Sequence, residues 1–338
     1  MTRTARRRWS RELQFEVDGI AVGPSGPVLV HVYEPPAGER WMDAAIPGKL
    51  GALDRSSGEI LWVSPCEVGY GRGFGAGFGG QEDVIVAGPS ANGHRVVRMT
   101  LGSGELRDAR TIPAFDEAIV SEDIAVFASK KRVMAIDTKT LQERWSYSKE
   151  TERYHNIARS GARVFVVVSN AKTKKQGLLA LDARTGKLEA SLLAPEQSVI
   201  HGVTADALGL TLILDNLPAA LPREALMEYL RRSEDEDLGP ALALCSLKPD
   251  SKPGDAPLWF ETLAGEEDGE FPEVAVHADA GRLYLVKGAL LEARDALTGR
   301  RLDEWAVPGL DERVAWSVAQ GACLLAEETR VSIFELPA

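Results

Sequence analysis

One short pattern, repeated along the chain, constrains the fold more than any other feature. In Ala180-Leu181-Asp182-Ala183-Arg184-Thr185-Gly186-Lys187-Leu188, two apolar residues end a strand, Asp182 opens a turn, Gly186 closes it and a second strand leaves. An aspartate carboxylate accepts backbone N–H groups inside such a turn, and glycine takes the φ > 0 position that a bulged hairpin needs. The pattern recurs where Ala52-Leu53-Asp54 leads to Gly58 and Trp62, and where Ala135-Ile136-Asp137 leads to Leu141 and Trp145. It recurs again where Ala293-Arg294-Asp295 leads to Gly299 and Trp305. Degenerate copies at Met99–Gly104, Leu242–Cys245 (then Leu258-Trp259-Phe260) and Val331–Glu335 fill the gaps. The turn positions are 54, 100, 137, 182, 245, 295 and 335. A spacing of roughly 40–50 residues, with room for four strands, is that of a propeller blade.

The pattern alanine-x-Asp-x-x-Thr-Gly-x-x-x-Trp resembles the PQQ-like (quinoprotein-type) β-propeller repeats, and the resemblance covers nearly the whole chain. It implies an all-β fold: a seven-bladed β-propeller of four-stranded antiparallel blades, 1–338 as one domain. It does not decide function, because that superfamily holds both enzymes and scaffolds. Its quinone enzymes have eight blades, a disulfide between neighbouring cysteines, and carboxylates holding Ca²⁺ beneath the quinone. Here seven blades are expected, and Cys66, Cys245 and Cys323 stand far apart. The resemblance therefore carries the fold; no cofactor, no bound metal and no catalytic residue is expected.

Net charge is −11. Binding a phosphate backbone needs clustered Lys and Arg, so no nucleic-acid role is expected. Each cysteine falls in or beside an apolar run, as small buried hydrophobes do in a reducing compartment. The first eleven residues are basic, but Glu12-Leu13-Gln14-Phe15-Glu16 follows where a secretory signal would place its apolar region. No window approaches the ~20 apolar residues of a membrane span. The expectation is a soluble, cytoplasmic protein.

Blades are expected at about 19–63, 69–110, 114–148, 154–193, 199–263, 273–308 and 313–338. The last repeat has only three strands, so residues 8–14 are expected to supply its fourth and remove a sheet edge. Blade 5 carries an insertion at 216–239, in which Pro222–Arg232 reads as a helix with Ala225, Leu226, Tyr229 and Leu230 along one stripe. The Gly-rich run Gly69–Gly80 lacks a following Lys-Ser/Thr, so it reads as an inner strand too crowded for side chains rather than a phosphate cradle. Trp62, Trp145, Trp259 and Trp305 lie on outer strands and are expected to pack between blades.

In such a blade, all B–C loops and D–A links lie at one end, and all A–B and C–D turns at the other. The unusual segments are all B–C loops or D–A links, and loops on a rigid scaffold carry function. The expected function is protein interaction, as a scaffold and subunit of a larger complex. The partner surface takes in Trp41, Met42, Tyr70, Arg72, Leu226, Tyr229 and Leu230, rimmed by acids that suit a partner with a basic surface. One alternative is a small-ligand or metal-binding enzyme at the channel mouth, where Asp116, His155, His201 and Glu273 each precede an inner strand. The other is an envelope-assembly propeller of the same superfamily.

Overall fold

The computed structural model describes residues 2–23, 26–34, 46–71, 73–91, 93–173, 176–193, 199–214, 242–252, 255–263, 274–311 and 314–337. The blade 5 insertion lies outside the described residues. Those described form 29 strands in seven sheets. The first two strands are β1 (Arg3–Thr4) and β2 (Arg6–Glu12). Blade 1 is β3 (Glu16–Val22), β4 (Val28–Tyr33), β5 (Gly48–Leu53) and β6 (Ile60–Pro65). Blade 2 is β7 (Gly75–Phe78), β8 (Asp83–Ser90), β9 (Gly93–Thr100) and β10 (Leu106–Ile112). Blade 3 is β11 (Glu117–Val120), β12 (Ile124–Ser129), β13 (Arg132–Asp137) and β14 (Glu143–Tyr147). Blade 4 is β15 (Glu152–Ser160), β16 (Arg163–Asn170), β17 (Gln176–Asp182) and β18 (Leu188–Leu193). Blade 5 is β19 (Ile200–Ala205), β20 (Leu210–Leu214), β21 (Leu242–Leu247) and β22 (Trp259–Leu263). Blade 6 is β23 (Ala275–Asp279), β24 (Arg282–Lys287), β25 (Leu290–Asp295) and β26 (Arg301–Ala306). Blade 7 is β27 (Ala315–Ala319), β28 (Ala322–Glu327) and β29 (Arg330–Glu335), completed by β2. The fold is a seven-bladed β-propeller. The blades fall into two compact units, Met1–Ser146 with Trp305–Ala338, and Tyr147–Glu304.

The second and third strands of a blade are buried on both faces, which is why they read as unbroken apolar runs such as Val-Leu-Val-His-Val-Tyr in β4. Side chains alternate across a strand. Val28, Val30 and Val32 of β4 therefore join Trp9, Leu324 and Ile333 of blade 7, while Leu29 joins Val84, Val86 and Met99 of blade 2. The second unit repeats the scheme, with Phe165, Leu178 and Ala180 of blade 4 against Leu212 and Cys245 of blade 5. Cys66, Cys245 and Cys323 are all buried.

The repeated turn is built as its residues dictate. Oδ1 of Asp54 accepts the backbone N–H groups of Ser56 and Ser57 at 2.9 and 2.8 Å. With the Ser56 hydroxyl also donating, these bonds pull the Asp54 carboxyl down to about 2. Gly58 closes the turn at φ 72° with its N–H on the Asp54 carbonyl. Blade 3 lacks the glycine, and Leu141 takes the same left-handed conformation at φ 54°, held by its buried side chain.

The glycine has a second reason. The outer-strand tryptophan of the preceding blade lies on it: a Cβ on Gly58 would stand 2.6 Å from the Trp9 ring, one on Gly104 2.4 Å from Trp62, and one on Gly299 2.5 Å from Trp259. The indole N–H donates into the same turn, Trp9 to the Arg55 carbonyl, Trp62 to Leu101 and Trp259 to Ala296. The Gly-rich run Gly69–Gly80 forms an inner strand only over Gly75–Phe78, its earlier described residues lying in the link after β6. Gly75 and Gly77 lie on inner strand β7, where a Cβ would stand 2.5 Å from Ala118 and 2.7 Å from Val120.

Strand β2 pairs antiparallel with β29 from Arg6↔Glu335 to Glu12↔Arg330. The closing strand thus begins two residues before the expected stretch and stops two before its end. Ahead of it, β1 adds in parallel to blade 6, with Arg3↔Trp305 and Thr4↔Ala306. Nothing in the sequence pattern announced that added strand.

Candidate functional site

Of the expected partner surface, Trp41, Met42, Arg72, Leu226, Tyr229 and Leu230 lie outside the described residues, as does Glu273 of the expected channel mouth. Tyr70 is described. It sits in the link after β6, bridged to Ile46 by its backbone N–H, and is 38% exposed. Its ring stacks on Tyr33, with centroids 4.2 Å apart and planes 26° apart. Tyr33 ends β4 and Glu16 begins β3 directly opposite, so the Tyr33 hydroxyl donates to Glu16 Oε2 at 2.7 Å. Burial, then the hydrogen bond to that carboxylate and its charge, push the Tyr33 phenol well above its usual range.

Two residues back along β4, His31 points the same way and is 1% exposed. Its Nδ1 lies 3.1 Å from Asp18 Oδ2, and its Nε2 lies 3.1 Å from the Val68 carbonyl. The ring also stacks on Phe74 at 4.5 Å. Both ring nitrogens face acceptors, so the doubly protonated ring satisfies both. Burial opposes the charge, but hydrogen bonds to Asp18, Cys66 and the Val68 carbonyl outweigh it and raise His31 to about 9. Gly48 leaves the room: a Cβ there would stand 2.3 Å from both His31 Nε2 and the Val68 oxygen. His31 thus ties inner strand β3 to the link that presents Tyr70. The sequence reading missed this pair. Its only signal was a lone histidine in an otherwise apolar strand.

Asp18 reaches His31 through a β-bulge. Val17 pairs with Val32 and Gly19 with His31, leaving Asp18 as the extra residue, and a bulge re-aims a side chain. Equivalent bulges fall at His155 and Asn156 in β15 and at His201 in β19. The two histidines expected ahead of inner strands therefore lie within them. A bulge adds a residue without ending the ladder, and the sequence pattern gives no sign of it. His155 Nε2 lies 2.7 Å from the Ser169 hydroxyl, and the His201 carbonyl accepts from Asn156 Nδ2 at 3.4 Å. Asp116 comes just before β11, its N–H on the Ala128 carbonyl. Among the described residues, no three His, Cys, Asp or Glu side chains come together as a metal would need.

A recess of about 710 Å³ opens beside the Tyr33–Tyr70 pair, between blades 7 and 1. Four carboxylates among the described residues line it, Glu12, Asp18, Glu327 and Glu328, against one guanidinium, that of Arg330. Arg330 Nε lies 3.1 Å from Glu12, and Thr329 donates to the same carboxylate. These two hydrogen bonds, Thr329 first, hold the Glu12 carboxyl below its usual range. The floor is rigid: the N–H groups of Val17 and Leu13 donate to the Glu328 and Thr329 carbonyls at 2.6 and 2.7 Å.

Seven four-stranded blades, three of them closed by the full Asp-to-Gly turn, with the tryptophan of the preceding blade laid over Gly58, Gly104 and Gly299, define a propeller of PQQ-like repeats. The sequence model of the family described as outer membrane protein assembly factor BamB matches residues 47–216, half of the chain, and the chain belongs to that family. Among solved structures, BamB from Moraxella catarrhalis is similar at 13% identity and TM-score 0.49, covering 98% of each chain. The computationally designed Ika8 protein is similar at 13% identity and TM-score 0.52, over 98% of this chain and 99% of its own. At 13% identity, the likeness to the designed protein speaks for fold alone. No curated protein matches the chain.

Proposed function

We propose that this protein is an interaction propeller that acts by binding rather than by catalysis, holding a partner protein with a basic surface at the loop-rich end of blades 7 and 1. The observation that carries the reading is the recess in which a stacked tyrosine pair stands among Glu12, Asp18, Glu327 and Glu328. An aromatic centre inside a charged rim is the arrangement of interface hot spots. A lysine or arginine entering it meets a ring face and carboxylates together. The acid speeds association and makes the on-rate fall with salt.

Two substitutions test this: Tyr70→Ala, and Glu327→Lys combined with Glu328→Lys. Both sites are at least partly exposed, so the fold survives, and recovery of the native partner in a pull-down falls at least tenfold. Undiminished recovery with both variants overturns the reading. The family description favours a second reading, an envelope-assembly propeller. The two readings part on location, cytoplasm or envelope, and fractionation of the native host decides between them.

A further inference from the structure

The outer strand of every blade leaves one row of N–H and C=O groups unpaired with its own sheet, and proteins guard such edges with charge. Among the seven outer strands described, β6 (Ile-Leu-Trp-Val-Ser-Pro) is the one without a charged residue. The contrast is sharpest at the bulge these strands share. Its extra residue is Arg8 in β2, Arg107 in β10 and Glu189 in β18, but Leu61 in β6. Ile60, Leu61 and Val63 are 48%, 54% and 42% exposed, all three among the exposed large apolar side chains of the described residues.

The chain itself displays what such an edge accepts. On blade 6, β1 lies parallel to the outer strand at Trp305 and Ala306, and the Ala5 N–H continues the ladder to the Ala306 carbonyl at 3.0 Å. The corresponding residues of blade 1 are Trp62 and Val63, each outer-strand tryptophan being followed by the residue that would pair next. Trp62 is already held, its indole on the Leu101 carbonyl, whereas Leu61 and Val63 point to the other side. Pro65 ends the usable edge, having no N–H to give.

We propose that the outer edge of β6 takes up a short, uncharged, extended segment of a partner protein as an added strand, parallel as β1 is on blade 6. Main-chain bonds supply the affinity, and the apolar side chains of Ile60, Leu61 and Val63 select against charge. A second copy of this chain is the poorer occupant. Stable interfaces use about 20–30 residues a side, and this edge offers a strand of six.

The probe is an acetylated, amidated Thr-Val-Thr-Val-Thr peptide, read by hydrogen exchange of the purified protein at millimolar peptide. The expected result is at least tenfold slower exchange confined to residues 60–64. A peptide with N-methylated backbone gives none, and Val63→Lys or Leu61→Lys, both exposed and fold-neutral by melting, remove the protection. No protection, or equal protection from the N-methylated peptide, overturns the proposal. So does protection that appears without peptide as protein concentration rises, accompanied by dimer in sedimentation, since the occupant is then a second copy.

Discussion

His31 sits where valine or leucine would pack, yet it carries charge between Asp18 and the Val68 carbonyl. A group held at about 9 against an ordinary value near 6.5 favours the folded state while protonated. Its contribution is complete below pH 6.5 and is lost as pH rises through about 9, at most about 3 kcal/mol by the usual conversion. Unfolding free energy measured from pH 6 to 10 should therefore fall between about pH 6.5 and 9 and level off above that. Asp18→Asn should flatten the fall, because it removes the carboxylate that holds the proton. An identical pH profile in the variant would mean that the charge is not held there. Retained stability at pH 7 together with weaker partner binding would assign the pair to presenting Tyr70.

At the level of the element, the turn and the tryptophan of the preceding blade form one device. The glycine is required twice, by its left-handed backbone and by the ring lying over its α-carbon. The two requirements separate by substitution. Gly288 has φ 54° with nothing within 4 Å of an added Cβ, so Gly288→Ala should cost only the backbone strain, about 1–2 kcal/mol. Gly104 has φ 69° and a Cβ there would stand 2.4 Å from Trp62, so Gly104→Ala should cost about 2–4 kcal/mol. Equal losses in urea denaturation would show that the ring moves aside freely. Leu141 marks the limit of the rule, since the fold needs the left-handed conformation even where the sequence supplies no glycine.

For the whole molecule, closure rests on β2, whose Trp9 is buried between blades 7 and 1. Trp9→Ala alone should cost about 3–5 kcal/mol, a large part of the ~5–15 kcal/mol that holds a domain folded. Deleting residues 1–14 should lower the melting temperature further and expose the β29 edge, seen as association in sedimentation. An unchanged melt and a monomer would refute closure by this strand.

Seven blades and most of their strands and turns were legible in the chain, because the repeated turn is made by residues three or four apart and the inner pair of strands by unbroken apolar runs of about six. Asp54 with Gly58, or Asp182 with Gly186, declares itself without reference to any other blade. The outer-strand tryptophans were legible as packing residues but not as donors to particular carbonyls, since Trp9 and Arg55 are 46 positions apart. Of the site, Tyr70 was legible as an aromatic in a link, while Tyr33, His31 and Asp18 were not. Strand alternation alone gives no role to Asp18; a bulge turns it toward His31, and bulges leave no mark in the pattern. The same holds for β1, too short to read as a strand, which exists only because the outer edge of blade 6 is there to receive it. The sequence by itself determined what depends on neighbours along the chain. Tertiary structure alone decided which side chains from different blades meet, because that depends on bulges, register and closure.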